Sequence, residues 1–457
     1  CAARAAGKPG GGYPQRRRAV RTGGNTMTLA LAVLLLMLAG TLVLRVPIGF
    51  GMLVSGVAYL LVKGQDLGLV AEQVLNGMYN SYVLLAVPLF IFAAGIMNSG
   101  TISERLFDFA LAIVGRLRGG LAHVNIIVSV IFSGMSGSAI ADAAGPGIVS
   151  IRMMQKNGYS AEFAGALTAA SSTIGPIIPP SIPMVIYALV SSASVGALFL
   201  GGVVPGALMA VALMLAVHFV ARKRNLPREA AIPWRAFPAI FARGFLPLTL
   251  PVVLLGGIYS GVFTPTEAAA VAALYALFLA GVVYRALSAR RLFEILVESA
   301  KSSATVTLII AAAFVINYAF TAEGVPALVA SWLTAMNLTP LGFLLGTNVL
   351  FLVLGCFLDT SIMLLVLVPI LLPAANLLHI DLVHLGVVLV VNMMIGLVTP
   401  PFGMLLFVIN ALAGVPLKGM IREAWLFIFV LLVILLLITL VPDLVLWLPH
   451  LLGYGLK

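Results

Sequence analysis

Charged residues are scarce in this sequence. They make up 9% of its 457 residues, whereas 62% are hydrophobic and the mean hydropathy is +1.15. Soluble domains carry roughly 25% charged residues, so the composition excludes a water-soluble globule. Apolar runs long enough to cross about 30 Å of hydrocarbon recur along nearly the whole chain. They predict an all-α polytopic membrane protein with one membrane domain.

Cysteines and nucleotide-binding signatures are also sparse or missing. Cys1 and Cys356 are the only cysteines, and Cys356 lies inside an apolar run, which excludes a disulfide framework and a cysteine metal cluster. No GKS or GKT occurs, so the chain has no Walker A loop and we expect neither direct ATP hydrolysis nor a cofactor. The net charge of +11 is spread over short loops, which favours membrane orientation signals over nucleic-acid binding.

Hydropathy predicts about 10–11 transmembrane helices within residues 27–457. The legible spans lie near 28–44, 46–62, 83–110, 161–190, 197–220, 245–263, 266–285, 302–321, 384–412 and 424–448. Residues 1–26 form a Gly-rich basic tail without apolar periodicity, and we exclude them from the fold. Met27 is a candidate native start.

Two apolar stretches, 121–151 and 341–378, are each interrupted by small and polar residues. The interruptions read GMSGSAIAD at 134–142 and GCFLDTS at 355–361. We predict re-entrant hairpins, because this threading collects the basic loops on one side of the membrane, which is then cytoplasmic, and gives the two halves opposite topology. The threading conflicts with the basic tail, which it places outside, and a first hairpin counted as two full spans would change the parity.

A proline-interrupted apolar span follows each hairpin. These spans contain TIGPIIPPSIPMVIY at 173–187 and IGLVTPPFGMLLFV at 395–408. Proline lacks the N–H that a helix needs, so a Pro-Pro pair predicts an unwound segment, tolerated at membrane depth only inside protein or beside a wet cavity. Asp142 precedes Pro179 by 37 positions and Asp359 precedes Pro400 by 41, which indicates an internal duplication over 121–190 and 341–412.

Polar residues at the hairpin tips are candidate ion ligands. Ser133, Ser136 and Ser138 lie in the first hairpin, and Asp359, Thr360 and Ser361 lie in the second. An intramembrane carboxylate suggests function by default. Asp142 has two interpretations, an ion ligand or a helix cap. By contrast, Thr264, Pro265 and Glu267 predict only a helix start with a capping box.

The chain resembles the large membrane subunit of tripartite ATP-independent periplasmic (TRAP) transporters from about Met27 to its C-terminus. The resemblance rests jointly on VPLFIFAAGIMNSG from Val87, SGMSGSAIADAAGPG from Ser133, NGYSAEFAGALTAASSTIGPIIPPSIPMVIY from Asn157, GVFTPTEAAAVAALYA from Gly261 and HIDLVHLGVVLVVNMMIGLVTPPFGMLLFV from His379. It implies a bacterial inner-membrane transporter of the elevator type, similar to the ion transporter superfamily. It also implies Na⁺-coupled import of organic anions, such as C4-dicarboxylates, keto acids or sugar acids.

The resemblance also implies partners and site residues. The partners are a small four-helix membrane subunit and a periplasmic substrate-binding protein, both separate from this chain. Sodium would be bound by Ser133, Ser136, Gly137, Ser138, Thr173 and Gly175 in the first half and by Asp359, Thr360, Gly396 and Thr399 in the second. The substrate carboxylate would lie between the tips near Ser138, Pro179, Pro180, Ser361, Pro400 and Pro401.

Two alternatives to this interpretation remain open at this point. A stand-alone Na⁺-coupled carboxylate symporter would need no binding protein. An intramembrane serine protease is suggested by the GxSG pattern at Ser136, but such chemistry needs a base, and none of the five histidines has an obvious partner spacing to it. The second hairpin lacks GxSG, so the duplication favours transport over proteolysis.

Overall fold

The computed structural model describes residues 28–454, except 80, 99, 229–234 and 236. The predicted basic tail and Met27 lie outside the described residues. No strand occurs in the part of the chain that the structure describes. The protein is therefore all-α, as its composition predicts.

The helices divide into two series of similar layout. The first series is α1 (Leu29–Val43), α2 (Ile48–Lys63), α3 (Gly68–Tyr79), α4 (Ala86–Met97), α5 (Gly100–Val114), α6 (Gly120–Ser136), α7 (Ala139–Asp142), α8 (Ile148–Lys156), α9 (Ala161–Ser172), α10 (Ile182–Ser191) and α11 (Val195–Lys223). The second is α12 (Phe237–Tyr259), α13 (Pro265–Phe278), α14 (Ala289–Ala322), α15 (Val325–Ala335), α16 (Pro340–Gly355), α17 (Thr360–Ile362), α18 (Val368–Leu377), α19 (Leu382–Gly396), α20 (Met404–Ala413), α21 (Leu417–Leu440) and α22 (Asp443–Leu451).

Helices able to span a membrane occur in both series, one in the first and four in the second among the described residues. Among the described residues, five helical segments are long and apolar enough to cross a bilayer: Val195–Lys223, Pro265–Val283, Ala289–Ala322, Thr360–Leu377 and Leu417–Leu440. Shorter apolar helices include α6, α10, α16, α19 and α20, which belong to the hairpins and broken spans. The prediction of a polytopic membrane protein is confirmed.

Four of the predicted spans differ from the observed helices. The span predicted at 245–263 begins eight residues earlier, at Phe237, and the span predicted at 424–448 is divided, because α21 ends at Leu440 and α22 begins at Asp443. The stretch 83–110 is divided, because α4 ends at Met97 and α5 begins at Gly100. At this division the amide nitrogen of Asn98 donates to the Ala141 carbonyl oxygen in the first hairpin, at 3.3 Å. The span predicted at 302–321 is part of a longer helix, since the Ser288 side chain caps α14 thirteen residues earlier than expected, by accepting from the Arg291 N–H at 3.2 Å.

A constant shift of 221 positions relates the two series. It pairs the helix caps Ser138 with Asp359 and Ser160 with Asp381. The same shift pairs Gly175 with Gly396 and each Pro-Pro pair with the other, and both of those Pro-Pro peptide bonds are cis. The predicted duplication therefore exists and extends over the hairpins and the broken spans.

The sequence-based alignment of the duplication was wrong in one respect. It paired Asp142 with Asp359 as the two tip carboxylates, whereas the caps pair Ser138 with Asp359. Ser138 and Asp359 each precede their Pro-Pro pair by 41 positions. The error arose because an N-cap accepts Ser or Asp equally well, so equivalent positions need not carry the same chemistry.

The two repeats are interlocked. Each hairpin packs on the first half of its own broken span, α6 on α9 and α16 on α19. The second half of each span crosses to the other repeat: α10 packs against α17 and α18, and α20 packs against α7 and α8. This exchange brings the hairpin tips and the breaks of both repeats to the same part of the molecule.

Glu323, which follows α14, ties that helix to α1 and α2. Its carboxylate accepts hydrogen bonds from Thr28 at 2.6 Å, Tyr59 at 2.9 Å and Lys63 at 2.5 Å, and its side chain is only 4% exposed. Burial raises the pKa of Glu323, but the hydrogen bonds from Lys63, Thr28 and Tyr59 outweigh it, so the pKa lies below its ordinary value.

The helix start at Thr264 is as predicted. The Thr264 hydroxyl accepts from the Glu267 N–H at 3.3 Å, and the Glu267 carboxylate accepts from the Thr264 N–H at 2.8 Å. Pro265 occupies the first turn of α13. This capping box belongs to the fold and lies away from the candidate site.

Candidate functional site

The first hairpin tip is a sharp turn between α6 and α7. Gly137 adopts a left-handed conformation with φ of 60°, which reverses the chain. Ser138 then caps α7 by accepting from the Ala141 N–H at 3.3 Å, and the Ser138 N–H donates to the Ser136 hydroxyl at 3.5 Å. The tip therefore gathers small side chains and hydroxyls, as predicted.

This tip lies against the break between α9 and α10. A Cβ at Gly137 would lie 2.4 Å from the Pro180 carbonyl oxygen, and a Cβ at Gly175 would lie 3.5 Å from the Ser138 carbonyl oxygen. Because Pro179 has no N–H, it cannot donate to the Gly175 carbonyl four residues earlier. Backbone oxygens of the break thus lie beside the tip without their helical donors.

The second tip and the second break repeat this arrangement. Asp359 caps α17 by accepting from the Ser361 N–H at 2.8 Å. A Cβ at Gly396 would lie 2.9–3.0 Å from the backbone of Gly355, so only glycine allows this approach of hairpin and broken span. Pro400, like Pro179, cannot donate to the glycine carbonyl four residues before it.

A single cavity of about 820 Å³ joins the two tips and both broken spans. The tips contribute six predicted site residues to its lining, namely Ser136, Gly137, Ser138, Asp359, Thr360 and Ser361. Pro176 and Met394 line it from the two broken spans. The structure therefore brings both repeats to one chamber, with room for a small organic molecule.

The other predicted residues lie behind or beside this lining. Three of them have hydroxyls that donate to carbonyls of their own helices: Ser133 to Val130 at 2.5 Å, Thr173 to Ala170 at 2.6 Å and Thr399 to Ile395 at 2.7 Å. Their oxygen lone pairs remain able to bind a cation. Gly175, Gly396, Pro179 and Pro180 are buried, Pro400 is half-buried and Pro401 is exposed. Their roles as ligands stay predictions.

Sequence reasoning missed the two helices that close the cavity. Asn98 lines it from the end of α4, and α14 contributes Glu298, Lys301 and Ser302. Lys301 is the only basic side chain in the cavity lining among the described residues. A detectable signal existed, since Ser299, Ser302 and Thr305 recur every third position along α14, directly before the apolar run that begins at 308.

The protease alternative has no support in this geometry. Ser136 is fully buried beside Gly137, and its hydroxyl oxygen accepts the backbone N–H of Ser138. Neither buried histidine pairs with Ser136. The Nε2 of His384 lies 2.9 Å from the Ile438 carbonyl oxygen, and His123 precedes Ser136 by thirteen residues on α6, about 20 Å along the helix.

The fold and the site define an integral, multi-pass membrane transporter. Residues 35–444 match the family model of the DctM component of tripartite ATP-independent periplasmic transporters. The chain belongs to this family, and the resemblance inferred from its motifs is confirmed. It is therefore a transporter of the bacterial inner membrane rather than an enzyme.

Curated relatives agree over nearly the whole chain. The sialic acid TRAP transporter large permease protein SiaM of Vibrio cholerae is 43% identical over 91% of this chain and 98% of its own length. The C4-dicarboxylate TRAP transporter large permease protein DctM of Pseudomonas aeruginosa is 43% identical over 81% and 87%. The 2,3-diketo-L-gulonate large permease YiaN of Escherichia coli is 35% identical over 91% and 98%.

A solved structure shares the fold. The YdaH transporter of Alcanivorax borkumensis superposes with a TM-score of 0.61 at 15% identity, over 82% of this chain and 88% of its own. At this identity the likeness concerns architecture alone.

Proposed function

We propose that the chain is the membrane subunit through which a Na⁺ gradient drives import of a carboxylate-bearing organic anion. The shared cavity carries this proposal. Because both hairpin tips and both broken spans meet there, ions held at the tips and an anion held between them would stabilise each other's binding. The named substrates of the relatives, sialic acid, C4-dicarboxylates and 2,3-diketo-L-gulonate, all carry carboxylates.

Two Na⁺ ions would bind, one at each tip. The first site combines Ser133, Ser136, Gly137 and Ser138 with Thr173 and Gly175, and the second combines Asp359 and Thr360 with Gly396 and Thr399. Two features support this assignment: the hydroxyl oxygens keep free lone pairs, and proline denies the Gly175 and Gly396 carbonyl oxygens their helical donor four residues later. The Gly396 oxygen accepts instead from the Thr399 N–H at 3.1 Å, which leaves it one lone pair for an ion. Sodium, a hard cation, prefers such oxygen ligands.

The anion would lie between Ser138 and Ser361, which face the same cavity from the two repeats. The two hairpin tips offer hydroxyls and backbone groups to the anion but no positively charged side chain. Lys301 lines the same cavity from α14, which belongs to neither tip, and would supply the complementary positive charge. The Pro-Pro pairs would hold the breaks open behind the substrate.

The same arrangement suggests how the transport domain moves and how the substrate reaches it. The hairpins and broken spans would move as a transport domain against a scaffold that includes α14, so the cavity would be exposed alternately on each side. The cavity extends beside the half of α14 that carries Arg290 and Arg291, the cytoplasmic end by the positive-inside rule. A periplasmic binding protein would deliver the anion, and a small four-helix membrane subunit would support the scaffold.

The experiment is uptake into proteoliposomes of sialic acid, succinate and 2,3-diketo-L-gulonate under an inward Na⁺ gradient. The protein is tested with and without a candidate periplasmic binding protein and a candidate small membrane subunit from the same organism. We expect uptake only with both partners and only with Na⁺. Uptake by the chain alone would instead establish a stand-alone symporter.

The site is tested with the double variant Asp359→Ala and Thr399→Ala, which should abolish Na⁺-dependent uptake in a folded protein. Asp381→Ala is the matched control. Its carboxylate also caps a helix, by accepting from the N–H groups of Val383 and His384 at 2.7 and 3.0 Å, but it lies outside the cavity lining. Normal Na⁺ dependence in the double variant would refute the assignment.

A further inference from the structure

A second polar cluster lies behind the first hairpin, outside the central cavity. Its side chains come from α6, the end of α7 and α9, and each is at most 2% exposed: Asn125, Ser129, Asp142, Thr168, Ser171 and Ser172. The neighbours Ala141 and Ala144 line the central cavity, but Asp142 does not. The Asp142 side chain instead faces the hydroxyls of Ser129 and Ser172.

Several polar atoms of the cluster are not used by its own hydrogen bonds. The amide nitrogen of Asn125 donates to Thr168 at 3.1 Å, and the Ser129 hydroxyl donates to Ser171 at 3.0 Å. The Ser171 hydroxyl donates in turn to the Thr168 carbonyl oxygen at 3.2 Å. Four buried oxygens remain unpaired: both carboxylate oxygens of Asp142, the amide oxygen of Asn125 and the Ser172 hydroxyl oxygen. A buried carboxylate keeps its charge only beside a cation or several donors and is otherwise neutralised by a proton, so the cluster has to bind either a cation or a proton.

The second repeat shows that the fold itself does not need this carboxylate. The shift of 221 positions pairs Asp142 with Met363, which is fully buried in the equivalent turn. Each of the two residues precedes or begins a π-helical turn, Ala143–Gly147 and Met363–Leu367. Asp142 also caps no helix, so the capping interpretation of this residue is wrong. The fold therefore does not explain why this position carries a carboxylate, and the binding of a ligand would explain it.

We infer that Asp142, Ser129 and Ser172 form a third cation site, for Na⁺, separate from the two at the tips. The inference rests on the proposed function in that Na⁺ is taken as the coupling ion. A single proton on Asp142 would satisfy one acceptor, whereas a cation can be bound by several of the unpaired oxygens at once. Oxygen donors alone, with one carboxylate, favour a hard monovalent ion.

The position of the cluster gives the ion a role. Asp142 lies on the returning arm of the first hairpin, and Ser172 is the last residue of α9 before the break at Thr173. An ion bound to both would fix the hairpin against the break. It would therefore stabilise the geometry of the neighbouring tip site and make Na⁺ binding cooperative.

The test counts bound ions. The purified full-length chain is titrated with NaCl in detergent, with N-methyl-D-glucamine chloride holding ionic strength constant, and its melting temperature is followed. The dependence of stability on the logarithm of Na⁺ concentration gives the number of ions that bind the folded state. We expect three for the wild-type protein.

The decisive variant is Asp142→Met, which copies the residue of the second repeat and should fold. Asp142→Asn, of the same shape, is the second variant if the first does not fold. Each should bind one Na⁺ fewer than wild type. Ser172→Ala keeps the carboxylate and should weaken one Na⁺ about tenfold, the usual effect of a lost supporting ligand.

An unchanged ion number in both Asp142 variants would overturn the third site. The same result is expected if Asp142 carries a proton instead of binding Na⁺. The two proposals fail differently. If Na⁺ does not stabilise even the wild-type protein, the proposed function fails and the third site with it. If wild type binds Na⁺ and the Asp142 variants bind as many ions, only the third site fails.

Discussion

Close contact between the first tip and its break can be disturbed by one methyl group, in Gly137→Ala. Gly137 has a φ of 60°, which alanine adopts at a cost of about 1–2 kcal/mol. The new Cβ would also lie 2.4 Å from the Pro180 carbonyl oxygen, 3.2 Å from the Pro180 carbonyl carbon and 3.3 Å from the Ile182 nitrogen. All three are backbone atoms, so the tip must move away from the break, at a further cost of about 1–3 kcal/mol.

Gly414→Ala separates these two costs. Gly414 has a similar φ of 66°, but a Cβ there meets no atom within 4 Å. It should therefore lose only the conformational part of the stability. If the crowding displaces the tip, the cost of about 1–3 kcal/mol is lost from Na⁺ binding. Gly137→Ala should then raise the apparent Na⁺ dissociation constant by about 5- to 150-fold, because each 1.4 kcal/mol is a factor of about ten.

The assay is Na⁺-dependent thermal stabilisation of the purified protein, with both variants measured beside wild type. Gly414→Ala should lower the melting temperature at every Na⁺ concentration and leave the Na⁺ dissociation constant unchanged. Gly137→Ala should lower the melting temperature and also shift the Na⁺ titration. Equal Na⁺ affinities in the two glycine variants would refute the claim that the tip and the break jointly form an ion site.

Further predictions concern the second repeat and the buried carboxylate of Glu323. Gly396→Ala should destabilise the fold by about 1–3 kcal/mol, because its Cβ meets the Gly355 backbone on the facing hairpin; wild-type thermal stability would contradict the close approach. Asn392→Leu removes the amide that donates to the backbone and side-chain oxygens of Asn348 at 2.8 and 3.0 Å, so we expect a loss of about 1–3 kcal/mol in thermal unfolding, and no loss would show these oxygens to be otherwise paired. Glu323 has a lowered pKa, so the stability it supplies is complete above its ordinary pKa of 4.5 and is lost as the pH falls through its folded-state pKa. The difference in melting temperature between wild type and Glu323→Gln should therefore shrink as the pH is lowered below 4.5, and a constant difference would contradict the ion pair's contribution.

The breaks and the hairpins were predictable because their causes are local. A proline without an N–H opens a helix wherever it lies, and Gly137 with its flanking serines interrupts an apolar run in any context. Thr264 and Glu267 are likewise sufficient for a capping box within four residues. A few neighbouring residues determine each of these features, so the sequence alone predicts them.

The surroundings of these features were not predictable in the same way. Lys301 lines the cavity because α14 packs against the second hairpin, which depends on the packing of elements distant in sequence. The unpaired oxygens around Asp142 depend on how α6 lies against α9. The two repeats were aligned four residues out of register because Ser138 and Asp359 both cap a helix but have different side chains.

The central claim is that the two tips and the two breaks form one cavity for ions and substrate. Its most direct test is a structure of the protein determined with saturating Na⁺ and a transported carboxylate. We predict density for the anion within hydrogen-bonding reach of Ser138 and Ser361, with an ion behind each tip. An anion bound elsewhere, or helices running unbroken through Pro179 and Pro400, would contradict the account.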